Sequence, residues 1–163
     1  MTLQLSYNEV HQLVAKTAQT INDSPFSADV IVAIGGGGFI PARILRTFIK
    51  KPLVAVSISR YMVDKDPLEK PIRLQWIDGI EKLINGSRVL LVDEVDDEGT
   101  TLADVAAGML KAGAIEVATF VLHYKRKKKK AMAPSGILYR FICQETEDIW
   151  IEYPWENITP AKE

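Results

Sequence analysis

The chain has 163 residues, 47% of them hydrophobic and 25% charged, with a formal net charge of -1; this suits one globular domain and gives no global signature of a nucleic-acid or membrane binder. One cysteine, Cys143, lies in the apolar run YRFIC, so an internal disulfide framework is excluded and a reducing, cytoplasmic setting is expected, with Cys143 a strand residue. The start MTLQLSYNEV lacks the basic-then-apolar order of a secretory signal, and no apolar run reaches the roughly 18 residues of a membrane helix.

In chain order, Ser6 to Ile21 is predicted to be a helix: Ser6 and Glu9 form a capping box, and Val10, Leu13, Val14, Thr17 and Ile21 recur at helical spacing. Asp29 to Ile34 is a β-branched apolar run suited to a strand buried on both faces. Gly35 to Gly38 follow, then a helix expected to bury Phe39, Ile40, Ile44, Leu45 and Phe48. Leu53 to Ser59 is a second buried strand. Arg60 to Asn85 is irregular and charged; it reads as a mobile excursion with a short strand at Ile72 to Trp76, and such excursions are commonly functional lids. Arg88 to Val92 is a third strand and Thr100 to Ala112 a helix closed by Gly113. Ile115 to His123 and Ile137 to Cys143 are further strands, and Asp148 to Trp155 is an aromatic end. Alternating strands and helices imply an α/β fold, an open and mostly parallel sheet flanked by helices. In such sheets ligands lie beyond the carboxyl ends of the strands. Both unusual loops, Gly35 to Gly38 and Asp93 to Thr101, follow strand ends and should face one cleft.

The segment VLLVDEVDDEGTT, Val89 to Thr101, carries the chemistry. Asp93 and Glu94 at a strand end suit two ribose hydroxyls, directly or through Mg2+, which prefers hard oxygen ligands. Gly99, Thr100 and Thr101 at a helix N-terminus suit a phosphate, because free backbone N–H groups and the helix dipole point there. One segment can therefore hold a ribose at one end and its 5-phosphate at the other. The glycine loop can cradle a second anion through its amides. The run HYKRKKKK, His123 to Lys130, reads largely as a solvated basic loop.

The whole pattern resembles the phosphoribosyl-pyrophosphate signature of type I phosphoribosyltransferases. The resemblance implies that Asp93 and Glu94 bind the ribose and, with Glu156, the metal. It implies that Asp97 is the general acid/base and that Asp97 to Thr101 grip the 5-phosphate. Glu98 stands where the family usually has Thr or Ser; a carboxylate beside a phosphate is repulsive, so Glu98 is expected to act through its backbone. Gly35, Gly36 and Gly37 match the pyrophosphate loop, which often contains a non-proline cis peptide; Gly35-Gly36 is the candidate. The family usually has Lys or Arg where Gly36 stands, so Mg2+, Arg60 or a neighbouring subunit would have to neutralise the pyrophosphate.

Purine-specific members place a lysine after the fourth strand, which implies Lys125 as a donor to a 6-oxo group; adenine cannot accept that hydrogen bond well. The tail DIWIEYPWE is similar to bacterial xanthine-guanine members and AIGGGGFIPARILRTF to fungal hypoxanthine-guanine members. By this match Trp150 stacks on the base, Ile151 offers backbone groups and Glu156 is a distal acid. The family's flexible loop begins with Ser-Tyr; here the pair is Arg60-Tyr61. The implied layout is one domain over 1–163, with a flexible loop at about 60–85 and a small C-terminal/N-terminal hood whose C-terminal part lies at about 125–158, as a homo-oligomer. The implied reaction is purine salvage: phosphoribosyl pyrophosphate and a purine base, with Mg2+, give a nucleotide. A rival reading is a phosphoribosyl-pyrophosphate sensor that binds nucleic acid through Lys125 to Lys130.

Overall fold

Residues 1–61 and 67–159 are described in the computed structural model, with the side chains of 60, 61 and 67–69 excepted. A short strand, β1 (Thr2–Gln4), precedes helix α1 (Tyr7–Asp23). The Ser6 hydroxyl accepts from the Glu9 amide at 3.2 Å, and the Glu9 carboxylate accepts from the Ser6 amide at 2.7 Å. Two donors that the helix start leaves unpaired are thereby satisfied. Then come β2 (Val30–Gly35), α2 (Phe39–Ile49), β3 (Leu53–Tyr61) and β4 (Pro67–Gln75). The chain continues through α3 (Ile80–Ile84), β5 (Arg88–Asp96), α4 (Thr100–Lys111), β6 (Glu116–Lys125), β7 (Arg140–Thr146), β8 (Trp150–Glu152) and a 3-10 turn at Pro154–Glu156.

Six strands form the main sheet in the order β4-β3-β2-β5-β6-β7. All neighbours are parallel except β3 and β4. The central strands bury both faces, and their side chains divide by alternation. Ile31, Ala33, Leu90, Val92, Phe120 and Leu122 join Val10, Val14, Ala42 and Leu45 from α1 and α2 in one cluster. Val30, Val32, Ile34, Val89, Leu91 and Val121 join Ile84, Leu102, Val105 and Met109 from α3 and α4 in the other. After β2 the chain moves outward to β3, then returns to place β5 on the other side of β2. The strand order reverses there, and α2 and α4 leave toward opposite faces. That reversal opens a crevice between the ends of β2 and β5. A second, two-stranded sheet pairs β1 with β8, Leu3 opposite Ile151, and forms a hood beside the crevice.

Several expectations change. The third strand runs to Asp96 rather than Val92, because the acidic residues stay in register with β6, Asp96 opposite Tyr124. The strand expected over Ile72 to Trp76 begins at Pro67 and pairs antiparallel with β3. It is anchored on α4: the Arg73 guanidinium lies 3.9 Å over the Trp76 ring and pairs with Asp104 at 3.2 Å. Arg60 and Tyr61 therefore lie on β3, not in a loop, while residues 62–66 of the expected excursion lie outside the described residues. In α2 the buried face is Pro41, Ala42 and Leu45, whereas Phe39 is exposed. Arg140–Thr146 is the edge strand of the main sheet and not part of the hood, whose expected N-terminal part is β1. Among the described residues no helix is long and apolar enough to cross a membrane.

The capping box is remote from the crevice. Ser6→Ala is expected to lower unfolding free energy by about 1 kcal/mol, read by urea denaturation, without altering ligand affinity.

Candidate functional site

A cleft of about 400 Å3 occupies the crevice, floored by the ends of β2 and β5 and bounded by Lys125, Trp150, Ile151, Tyr153 and Glu156. Gly35 to Gly37, Asp93, Glu94 and Asp97 to Thr101 all line it. The structure thus brings together every predicted site residue except Arg60 and Tyr61, whose side chains lie outside the described ones.

The glycine loop is dictated by close approach. A Cβ on Gly38 would fall 2.4 Å from the Val92 carbonyl oxygen, and one on Gly37 would fall 2.1 Å from the Glu94 carboxyl carbon. Glycine there lets the two loops meet. The Gly35-Gly36 peptide is cis. A Cβ on Gly36 would meet nothing within 4 Å, so a family-type lysine or arginine would have room.

Asp93 and Glu94 are held differently. The Glu94 amide donates to Asp93 Oδ1 at 2.8 Å. The Trp155 indole N–H donates to Glu94 Oε2 at 3.1 Å, and the Tyr153 hydroxyl donates to the Glu94 carbonyl at 3.2 Å. His123 Nδ1 lies 2.8 Å from that hydroxyl. Since the hydroxyl's one hydrogen goes to Glu94, Nδ1–H is the donor in that pair. Tyr153 and Trp155 stack with centroids 4.9 Å apart. The hood therefore grips the acid pair from above.

Burial raises Asp93 well above the usual carboxylate range, with the neighbouring Glu94 and Asp96 charges adding to it. Burial and the Glu156 charge push Glu94 up to about 7, against the Trp155 hydrogen bond. Burial also lowers His123 to about 4, so its imidazole is neutral near pH 7. The Cys143 thiol is pushed up to about 12 by burial and is inert.

Among the described residues no three His, Cys, Asp or Glu converge to hold a metal. Asp93, Glu94 and Glu156 thus do not form a complete protein-only site. Their hard oxygens still suit Mg2+, which binds through one or two carboxylates plus substrate oxygens.

The basic run is solvated only in part: Arg126, Lys128 and Lys130 are exposed, whereas Lys125, Lys127 and Lys129 are not. Lys125 is 12% exposed, with its ammonium 3.7 Å from Asp97 and 3.6 Å from Asp148. Lys127 pairs with the same two carboxylates. Lys129 is 8% exposed and pairs with Asp96 at 3.3 Å, and Lys130 pairs with Glu98 at 2.7 Å. Glu98, the residue out of pattern, thus has a cation beside its carboxylate. Trp150 is 67% exposed with its ring at the cleft, as a platform for a flat ligand needs. Ile151 is buried beneath it.

The sequence reading missed His123, Tyr153, Trp155 and Lys129 as supporting residues. A lone histidine in an apolar strand was a signal for the first. The aromatic pair read as core, and nothing local separated Lys129 from its neighbours.

Residues 6–156 match the phosphoribosyl transferase domain family. A hypoxanthine-guanine phosphoribosyltransferase of Schizosaccharomyces pombe is 43% identical, over 94% of this chain and 88% of its own length. Xanthine phosphoribosyltransferase 1 of Saccharomyces cerevisiae is 36% identical, over 94% and 89%. Among solved structures, a hypothetical protein from Neisseria gonorrhoeae with bound ppGpp superposes with a TM-score of 0.89 at 36% identity, covering 97% of this chain and 90% of that one.

Because folding raises the Glu94 pKa from 4.5 to about 7, the folded chain holds the proton more tightly than the unfolded one. Stability due to this group is therefore present at low pH and is lost as pH rises through about 7. Glu94→Gln keeps an acceptor for Trp155 and removes the charge. At about pH 8 it should be more stable than the parent chain by about 1–3 kcal/mol. The gap should close toward about pH 4.5; a pH-independent gap in urea unfolding would contradict the assignment.

Proposed function

Because the chain belongs to the phosphoribosyl transferase family, we propose that it transfers a 5-phosphoribosyl group from phosphoribosyl pyrophosphate to N9 of a 6-oxopurine in purine salvage. The observation that carries this reading is one cleft with two anion-binding turns on its floor and Lys125 and Trp150 at its rim. The hypoxanthine-guanine and xanthine enzymes among its relatives support the acceptor class.

In this reading the base lies against Trp150, with the Ile151 backbone at its edge and the Lys125 ammonium donating to its 6-oxygen. Asp93 and Glu94 hold the ribose hydroxyls. Gly99, Thr100 and Thr101 bind the 5-phosphate at the start of α4, and Gly35 to Gly37 bind the pyrophosphate. Mg2+ held by Asp93, Glu94 or Glu156 together with donor oxygens would supply positive charge for the departing pyrophosphate. The bond from C1′ to pyrophosphate oxygen breaks, its electron pair leaving with pyrophosphate, and a bond from N9 to C1′ forms. Asp97, at the cleft mouth beside Lys125 and Lys127, takes the purine proton. The protein's main contribution is positioning and charge stabilisation.

The sensor reading loses its binding surface: Lys125, Lys127, Lys129 and Lys130 face carboxylates of the same chain. The Neisseria relative instead favours a regulatory addition. We propose that ppGpp occupies this cleft, guanine on Trp150 and its 5′-diphosphate on the anion-binding turns.

Incubation with donor, Mg2+ and hypoxanthine, guanine or xanthine should yield nucleotide and pyrophosphate; no product from any base would refute the transfer reading. Asp97→Asn should reduce kcat by about 100-fold or more while leaving donor affinity within about threefold. Wild-type turnover would remove Asp97 from proton transfer. Steady-state inhibition by ppGpp should be competitive against the donor, and a noncompetitive pattern would place it elsewhere.

A further inference from the structure

The lysine-rich segment after β6 has a buried member, Lys129, to which the proposed reaction gives no role. Lys129 is almost wholly buried, yet its ammonium is fully engaged. It donates to the carbonyl oxygens of Asp96 at 2.7 Å, Asp97 at 2.9 Å and Lys125 at 3.0 Å. It also lies 3.3 Å from the Asp96 carboxylate and 4.0 Å from the centroid of the Tyr124 ring. The next two residues continue the contact: the amides of Lys130 and Ala131 donate to the Glu98 carbonyl at 2.9 and 3.2 Å. A Cβ on Gly99 would fall 2.2 Å from the Ala131 carbonyl oxygen. The segment thus lies flat against the turn that opens α4.

It lies on the turn's far side. A small cavity of about 40 Å3 there is lined by Lys129 and Ala131 and shares Asp96, Gly99 and Leu102 with the cleft. Lys129 is not among the residues lining the cleft, so it acts through the turn and not on a ligand directly.

A trans peptide points its C=O and the following N–H in opposite directions. Among the described residues the only cis peptide is Gly35-Gly36, so the three peptides after Asp96, Asp97 and Glu98 are trans. Carbonyls drawn backward onto Lys129, and onto the amides of Lys130 and Ala131, turn the N–H groups of Asp97, Glu98 and Gly99 toward the cleft. Successive amides aimed one way form an anion nest, and a cation on each carbonyl strengthens the paired donor by polarising the peptide. The turn needs this help, since its own side chains are carboxylates that repel a phosphate.

We infer that Lys129 is a positioning residue for the donor's 5-phosphate, the buried anchor of a strap that aims the amides of Asp97, Glu98 and Gly99 into the cleft. The inference rests on the phosphoribosyl-transfer reading for its ligand. Specificity for the phosphate separates it from a general structural role: loss of the strap impairs phosphate binding and spares the base.

Lys129→Met keeps the stem and removes the ammonium. It should raise the donor KM, and the Kd of ribose 5-phosphate by titration calorimetry, roughly ten- to a hundredfold. The purine KM should stay within about threefold, and the exposed Lys128→Ala should behave as the parent chain. Donor KM and ribose 5-phosphate Kd at parent values overturn the inference, as does an equal rise in donor and purine KM. If Lys129→Met fails to fold, Lys129→Arg decides. Its planar fork keeps the charge but cannot serve three convergent carbonyls, so donor KM should rise by about threefold or more and purine KM should not; a parent-like donor KM overturns the inference. A parent chain without transferase activity refutes the transfer reading instead, and ribose 5-phosphate binding by parent and variant then decides the strap alone.

Discussion

Asp93, Glu94, Asp96, Asp97 and Glu98 place five carboxylates in six consecutive residues, where β5 turns into the start of α4. They repel one another and any phosphate that approaches. Much of the surrounding structure relieves that repulsion. Lysines from the segment after β6 pair with Asp96, Asp97 and Glu98 from behind. Aromatic residues of the hood donate to Glu94 from above. Asp93, buried at the strand end, takes a raised pKa instead.

Each solution leaves a chemical consequence. A paired carboxylate lining the cleft, Asp97, stays near two ammonium groups in the same cleft as Trp150. A carboxyl poised near neutrality, Glu94, can meet a divalent cation or a ribose hydroxyl without the deep desolvation cost of a permanent charge. The hood's grip on Glu94 also joins the rim of the cleft to its floor. Trp150 and Trp155 belong to the same short tail, and His123 and Tyr153 tie that tail to the end of β6. Displacement of the tail by a base would be felt at the acid pair.

Much of the site was legible because its chemistry is local. The acid pair, Asp97, the Gly99-Thr100-Thr101 turn and the four glycines each sit where one strand becomes one helix, and strand-end loops of a parallel sheet share an edge. Of β4 only the part from Ile72 onward was legible: the rest is polar and proline-containing, and its hold on α4 comes through Asp104, distant in sequence from Arg73 and Trp76. On α2, Leu45 is buried and Ile44 and Phe48 pack against the core, whereas Phe39 is exposed and the small Pro41 and Ala42 make the close approach to the sheet that size alone did not mark.

The sequence by itself determined the fold class and the two strand-end turns that line the cleft, since hydrophobic periodicity and turn residues act within a few positions of one another. Tertiary structure alone decided what neutralises those turns. Partners such as Lys129 with Asp96, Lys130 with Glu98 and Trp155 with Glu94 are separated by tens of residues. A run of six consecutive basic residues, Lys125 to Lys130, has no internal feature that marks which one becomes buried. That depends on where the chain passes after β6, and burial there is tolerable only because three carbonyls and a carboxylate converge on one ammonium.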